Sequence, residues 1–185
     1  LDNMPSEPEG AAVWTLADSW IWARLKQLCE SVNRLFEDYQ FGEAGRQIYD
    51  FFWTEFADWY LEISKDQIAE GGDRAFYTIQ LLVKIFDTCM RLLHPFTPFV
   101  TEELWGHLKE SSQETSSSLA PEGGWEEALI VAKWPKAMPM EGWEGQAVED
   151  FTLIQEMIRA IRNIRAEYKV QHGHQIACTI SAGEE

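Results

Sequence analysis

Phe52-Trp53-Thr54-Glu55-Phe56-Ala57-Asp58-Trp59-Tyr60-Leu61-Glu62 is the stretch whose reading decides the fold. Aromatic residues recur three and four apart with polar residues between them, a helical rhythm rather than strict alternation. They cover too much of a helix's circumference to form one buried stripe, so most belong to a core shared with neighbouring helices. Trp53 and Trp59 lie six residues apart and point about 120° away from each other on an α-helix. One of these two, or Tyr60, is placed to stand partly exposed near the helix end, and an exposed aromatic beside Lys65 would suit stacking on an unpaired base.

Outward from this stretch the same rhythm predicts a mainly α chain. A helix over about 43–65 carries the stretch, with Ile48 and Ile63 extending its apolar set. Upstream, Thr15 and Asp18 form a capping-box pair before Leu16, Trp20, Ala23, Leu28, Val32, Leu35 and Phe36, a helix over about 15–38. Downstream, Ala69-Glu70-Gly71-Gly72-Asp73 is a turn, and Asp73 is placed to cap a third helix from Phe76 to Leu93. Pro95 forces a stop at His94. Thr97-Pro98 reads as an N-cap with proline at the first helical position, opening a short helix to about Lys109.

His94-Pro95-Phe96-Thr97-Pro98-Phe99-Val100-Thr101-Glu102-Glu103-Leu104-Trp105 spans that junction. Residues 110–124 are rich in Ser, Glu and Gly and read as solvated loop. Leu129–Ala132 is β-prone, a last helix covers about 146–169, and Gln175–Ser181 reads as a strand. The expected organisation is a lead-in over 1–14, an antiparallel helix bundle over 15–109 and a loop over 110–128. A C-terminal helix with short flanking strands follows over 129–185, a small truncated α/β piece of the same domain. The N-terminus, Leu1-Asp2-Asn3-Met4-Pro5, and the unmated last strand suggest a piece of something longer.

The chain has 185 residues, nine tryptophans and 45% hydrophobic content, enough for a sizeable core. No apolar run approaches the ~20 residues of a membrane span, and the start has no signal-peptide pattern. Cys29, Cys89 and Cys178 are far apart and read as buried thiols of a cytoplasmic protein. A net charge of −16 would argue against nucleic acid, but residues 95–150 hold 3 basic and 11 acidic side chains, half of that total. All four basic residues after 150 fall between Arg159 and Lys169.

On that last helix Ile154, Met157, Ile161, Ile164 and Tyr168 cluster within about 80°. Arg159, Arg162 and Lys169 occupy the adjacent face, with Arg165 at its border. Arginines at i, i+3 and i+6 suit a phosphate backbone. They suit equally a solvated face paired with an acidic bundle, where such pairs contribute little. His172 and His174 lack a third metal ligand and read as a turn. Glu55, Asp58, Glu62, Glu102 and Glu103 have surface-pair spacing rather than the convergence of an acid–base site. No phosphate loop, GxSxG elbow or HExxH motif occurs, so the chain itself reads as non-catalytic.

The two quoted stretches, with Leu16-Ala17-Asp18-Ser19-Trp20-Ile21 and Ile161-Arg162-Asn163-Ile164-Arg165-Ala166-Glu167, resemble the valyl-tRNA synthetase family. The similarity is to the C-terminal anticodon-binding domain, of the class I type shared with the isoleucyl, leucyl and methionyl enzymes, from about Leu16 to Val170. The resemblance implies a helix bundle that grips the anticodon arm of a valine-specific tRNA and sits in one polypeptide with catalytic and editing domains. ATP and Mg would serve the catalytic domain, whose His-Ile-Gly-His and Lys-Met-Ser-Lys-Ser signatures are absent here; no cofactor is expected for this stretch. Carried over by position, the RNA-facing end picks out Trp59, Tyr60 and Lys65, with Arg24 nearby, and the charge pattern adds Arg159 and Arg162.

The sequence departs from the family at Ser19, where Arg is frequent, and at Gln171-His172, where prolines are usual. The Asn-Ala-x-Arg-Phe helix that commonly precedes this region is also missing. The competing expectations are a scaffold that packs on other synthetase domains, or the equivalent domain of an isoleucyl-type enzyme.

Overall fold

The capping box at Thr15 starts the first helix. In the computed structural model, which describes residues 13–115, 117–121, 124–171, 173–177 and 179, the Asp18 amide donates to the Thr15 hydroxyl at 3.2 Å. The Thr15 amide donates back to the Asp18 carboxylate at 2.8 Å. Helix α1 (Leu16–Glu37) then buries Trp20, Ile21, Leu25, Leu28, Val32 and Leu35. Tyr39, at φ 59°, turns the chain into α2 (Phe41–Asp50).

The decisive stretch is helical but not α-helical. Phe51–Tyr60 is a π-helix, joined without interruption to α2 before it and α3 (Leu61–Ala69) after it. Its i→i+5 bonding widens the turn and shifts the phase of the side chains. Phe51, Phe56 and Tyr60 are buried, Phe52 leans on Phe56 and Phe86, and Trp53 faces solvent. The widened turn is how this segment accommodates aromatic rings on several faces.

Three cross-links set the register against α1: Tyr60 to Asp18, Arg24 to Glu55, and Ser31 to Gln47. The α2–π–α3 rod is therefore antiparallel to α1. Helix α4 (Gly72–Leu93) is not capped by Asp73, contrary to expectation. Gly71 is its N-cap at φ 76° and Gly72 follows at φ 54°, a left-handed pair that glycine adopts without strain. His94 ends this helix, as Pro95 requires.

Helix α5 (Pro98–Thr115) outlasts its expected end at Lys109. Thr101, Trp105 and Ser112 hold one inward face, and that periodicity carries the helix into the stretch read as loop. The helix opens at Thr97-Pro98 as expected, Pro98 being its first residue and the Thr97 carbonyl accepting from the Thr101 amide at 3.2 Å, while the Thr97 hydroxyl turns back to the Leu93 carbonyl at 3.4 Å. A short 3₁₀ turn, Ser117–Leu119, then brings Leu119 against Ile79 and Val83 in a second, smaller core.

The β-prone Leu129–Val131 is another 3₁₀ turn, so the expected flanking strand is corrected here. The Glu102 carboxylate accepts from the amides of Leu129 and Ile130 at 2.8 and 3.3 Å, taking the place a neighbouring strand would fill. Among the described residues there is no strand at all. Gln175–Ala177 and Thr179 belong to no regular element, and the rest of that expected strand lies outside the described residues. The Gly173 turn is present, with the His174 amide donating to the Gln171 carbonyl, while His172 lies outside the described residues.

Helix α6 (Glu144–Glu167) lies antiparallel to α1, with Trp20 stacked on Phe151 at 4.1 Å and Lys26 bonded to Glu144. In that register α6 runs out past the start of α1. Its buried residues, Glu144, Ala147, Phe151 and Gln155, all belong to its first half. The apolar stripe starts against the core at Ile154 and then emerges from the bundle, leaving Ile164 53% and Tyr168 74% exposed. Cys29 and Cys89 are buried free thiols; burial pushes Cys29 up to about 12.

Candidate nucleic-acid interface

Where α6 leaves the bundle, it passes the end of the π-helix. Phe151, stacked on Trp20, meets Trp59 edge-on at 6.2 Å and fixes the position of that half-buried indole. Two turns further along α6, the guanidinium groups of Arg159 and Arg162 lie over the Trp59 ring at 5.8 and 5.4 Å from its centroid. A guanidinium held against an indole keeps its N–H donors in the ring's plane of approach, free for a second partner.

The ion-pair pattern separates these two arginines from four others on the bundle. Arg24 pairs with Glu55, Arg46 with Glu43 and Asp50, Arg74 with Asp18, and Arg91 with Asp87. Among the described residues neither Arg159 nor Arg162 has a carboxylate partner; their contact is with Trp59. Among the described residues, the pairing of this face with the acidic bundle, left open by the sequence, is not seen. Arg165 stands apart, donating to the carbonyls of Gln171 and His174.

Of the six residues expected at an RNA contact, Trp59, Arg159 and Arg162 come together. Arg24 sits on α1, bonded to both oxygens of Glu55 at 2.7 Å and to Gln27 at 2.6 Å; the Glu55 bond is the chief cause of its raised pKa. Lys65 is exposed and paired with equally exposed Glu62 at 2.6 Å. Tyr60 is fully buried, and its hydroxyl donates to Asp18 at 2.8 Å, so its ring is not presented to a base. Its position on the rod, one residue past Trp59, aims it into α1 instead of toward α6.

Phe151 and Trp20 are the residues that sequence reasoning missed at this site. The signal was the aromatic at 151, one helical face away from the stripe that begins at Ile154. Chemically the arrangement offers one aromatic edge and two unpaired guanidinium groups, a combination suited to phosphate and stacked base. Among the described residues no group of His, Cys, Asp and Glu is arranged to hold a metal. No helix is long and apolar enough to cross a membrane.

Residues 18–180 match the profile of the anticodon-binding domain of tRNA ligase. The chain is 41% identical over 163 residues to the valine–tRNA ligase of Bacillus licheniformis, covering 88% of this chain and 17% of that protein. The valine–tRNA ligase of Bacillus subtilis is 37% identical over 172 residues, 92% of this chain and 18% of its own length. That of Symbiobacterium thermophilum is 37% identical over 182 residues, 94% and 20% respectively. The chain thus spans no more than a fifth of the length of these relatives. With the match extending over nearly all of its helices, the chain belongs to the family of anticodon-binding domains of tRNA ligases.

Proposed function

We propose that this chain grips the anticodon arm of a valine-accepting tRNA as one domain of a valine–tRNA ligase in the cytoplasm. The observation that carries the reading is the Trp59–Arg159–Arg162 cluster, two unpaired guanidinium groups on one indole in a chain of net charge −16. In such a chain, cations left without acids stand where an outside anion can reach them. Joining valine to tRNA, with ATP and Mg, falls to other parts of the longer protein. This domain contributes orientation, holding the stem so that the acceptor end reaches that distant site. Arg24 and Lys65 are neutralised by Glu55 and Glu62 and take a lesser part.

The test is a titration with the valine anticodon stem-loop and with an anticodon-swapped copy. Arg159→Ala combined with Arg162→Ala is expected to weaken binding of the first by at least about tenfold, the scale of losing charged hydrogen bonds. The melting temperature should stay within about 2 °C, since both side chains are exposed. Arg162→Ala alone should give a smaller loss in the same direction. Unchanged affinity in the double variant would sink the reading, as would equal and negligible binding of both RNAs by the parent chain.

A further inference from the structure

The bundle has a second unusual end, opposite the Trp59 cluster. The cross-links place Tyr60 beside Asp18 near the start of α1, whereas Phe36, at its finish, touches Phe41, Phe96 and Trp134. These two ends are about 27 Å apart along α1. At the far end apolar side chains face outward: Tyr39 is 81% exposed, Phe99 91% and Ile130 73%, with Phe41, Val100 and Val131 beside them also exposed. Four elements supply them. The turn after α1 gives Tyr39, α2 gives Phe41, and the first turn of α5 gives Phe99 and Val100. The 3₁₀ turn carrying Ile130 and Val131 is pinned to α5 by Glu102.

Single exposed apolar residues need no explanation, but a group drawn from four elements onto one end does. We infer that this end docks on another domain of the same polypeptide, an inference that rests on the chain's membership of a family whose relatives here are about five times longer. Exposed apolar patches rimmed by polar residues mark interaction sites, and contacts between domains of one chain are of modest area. A second copy of the chain is the weaker competitor. A tethered domain sits at an effective concentration in the millimolar range, far above that of a free copy. RNA is disfavoured because the patch offers rings and aliphatic groups where a polyanion needs unpaired cations. The scaffold and RNA-binding roles are then divided between the two ends of one bundle.

Hydrogen exchange of residues 96–104 and 129–131 in the isolated chain and in the full-length gene product tests this. Protection in the full-length protein should exceed that in the isolated chain by at least about tenfold. Phe99→Glu with Ile130→Glu should abolish that difference while leaving the isolated chain's melting temperature and its stem-loop affinity unchanged. Equal exchange in the two forms overturns the proposal, as does protection that survives both substitutions. Protection in the isolated chain that rises with its own concentration overturns it in favour of self-association. Loss of stem-loop affinity in this variant overturns it by placing RNA at this end. Loss only in the Arg159 and Arg162 variant leaves it standing, so the two readings fail separately.

Discussion

Asp18→Ala is expected to melt roughly 10–15 °C below the parent chain, the largest loss of any single substitution considered. Asp18 is fully buried, yet three elements depend on its carboxylate. It accepts from the Tyr60 hydroxyl at 2.8 Å, pairs with Arg74 of α4 at 2.8 Å and caps the Thr15 amide. Removing it leaves a guanidinium, a phenol and an amide short of a partner in the interior. Breaking one side of a buried ion pair costs about 3–5 kcal/mol, and a domain of this size loses about 2–4 °C per kcal/mol.

Two controls separate this hub from its spokes. Tyr60→Phe removes one hydrogen bond and should cost about 1 kcal/mol. Asp18→Asn keeps the shape and an acceptor but loses the charge facing Arg74, and should fall between the two. Calorimetric melting curves of the three variants give the order directly. If Asp18→Ala loses less than Tyr60→Phe, the three-way junction is not what joins α1, the π-helix and α4. Burial first, and then Asp18, push the Tyr60 phenol far above its ordinary range, so alkaline pH offers no route to opening this junction.

Lys26→Met is expected to lower the melting temperature by about 10 °C, because it strands Glu144. The Lys26 ammonium, nearly inaccessible, donates to Glu144 at 2.8 Å, to Glu141 at 3.0 Å and to the Pro139 carbonyl at 3.0 Å. Burial by itself would lower the Lys26 pKa, but the bonds to Glu144 and Glu141 outweigh it and hold the group above its usual value. Burial likewise pushes the Glu144 carboxyl up. Lys26 and the amides of Glu141 and Gly142 more than offset that, leaving it at about 2.

The pH dependence follows from these directions. Glu144 contributes stability above its unfolded pKa of about 4.5, and the contribution is lost as pH falls toward about 2. Lys26 contributes below its unfolded value near 10.5 and loses that contribution as pH rises past its folded one. Stability from this pair is thus level between those limits and falls on both sides. In Lys26→Met the acid limb should begin at a higher pH, since Glu144 loses its main counter-charge. Glu144→Gln added to Lys26→Met should recover part of the loss, a coupling that a double-mutant cycle measures. Additive losses would mean that the two groups do not stabilise each other.

The parts of the fold that local chemistry dictates were legible in the sequence. Thr15 and Asp18 start α1 through contacts three residues apart, and Pro95 stops α4 at His94 whatever lies around them. The π-helix was not legible, because a pattern of aromatic residues assumes the 3.6-residue period that this segment abandons. Leu129–Val131 looked like strand from its β-branched residues, but a carboxylate on another helix took its amides.

The candidate site divides in the same way. Arg159 and Arg162 could be placed on one face of α6 from spacing alone. That they would rest on Trp59, and that α6 would overshoot α1, depends on the register fixed by Trp20 and Phe151. Tyr60 was drawn inward by a single acid 42 positions earlier in the chain, a pairing that no local pattern encodes.

The uneven pairing of arginines on this acidic body has a kinetic side. On the proposed reading, an RNA that approaches the acidic faces of the bundle is repelled, whereas one that approaches over the Trp59–Arg159–Arg162 cluster meets attraction. On that reading the acidic body would act as an orientation filter, sorting encounters before any base is touched. The sorting reaches only as far as the field extends, about 8 Å at physiological ionic strength. What the acids forgo in affinity they return as a short residence time for every wrong collision, so a domain with few free cations can still be selective.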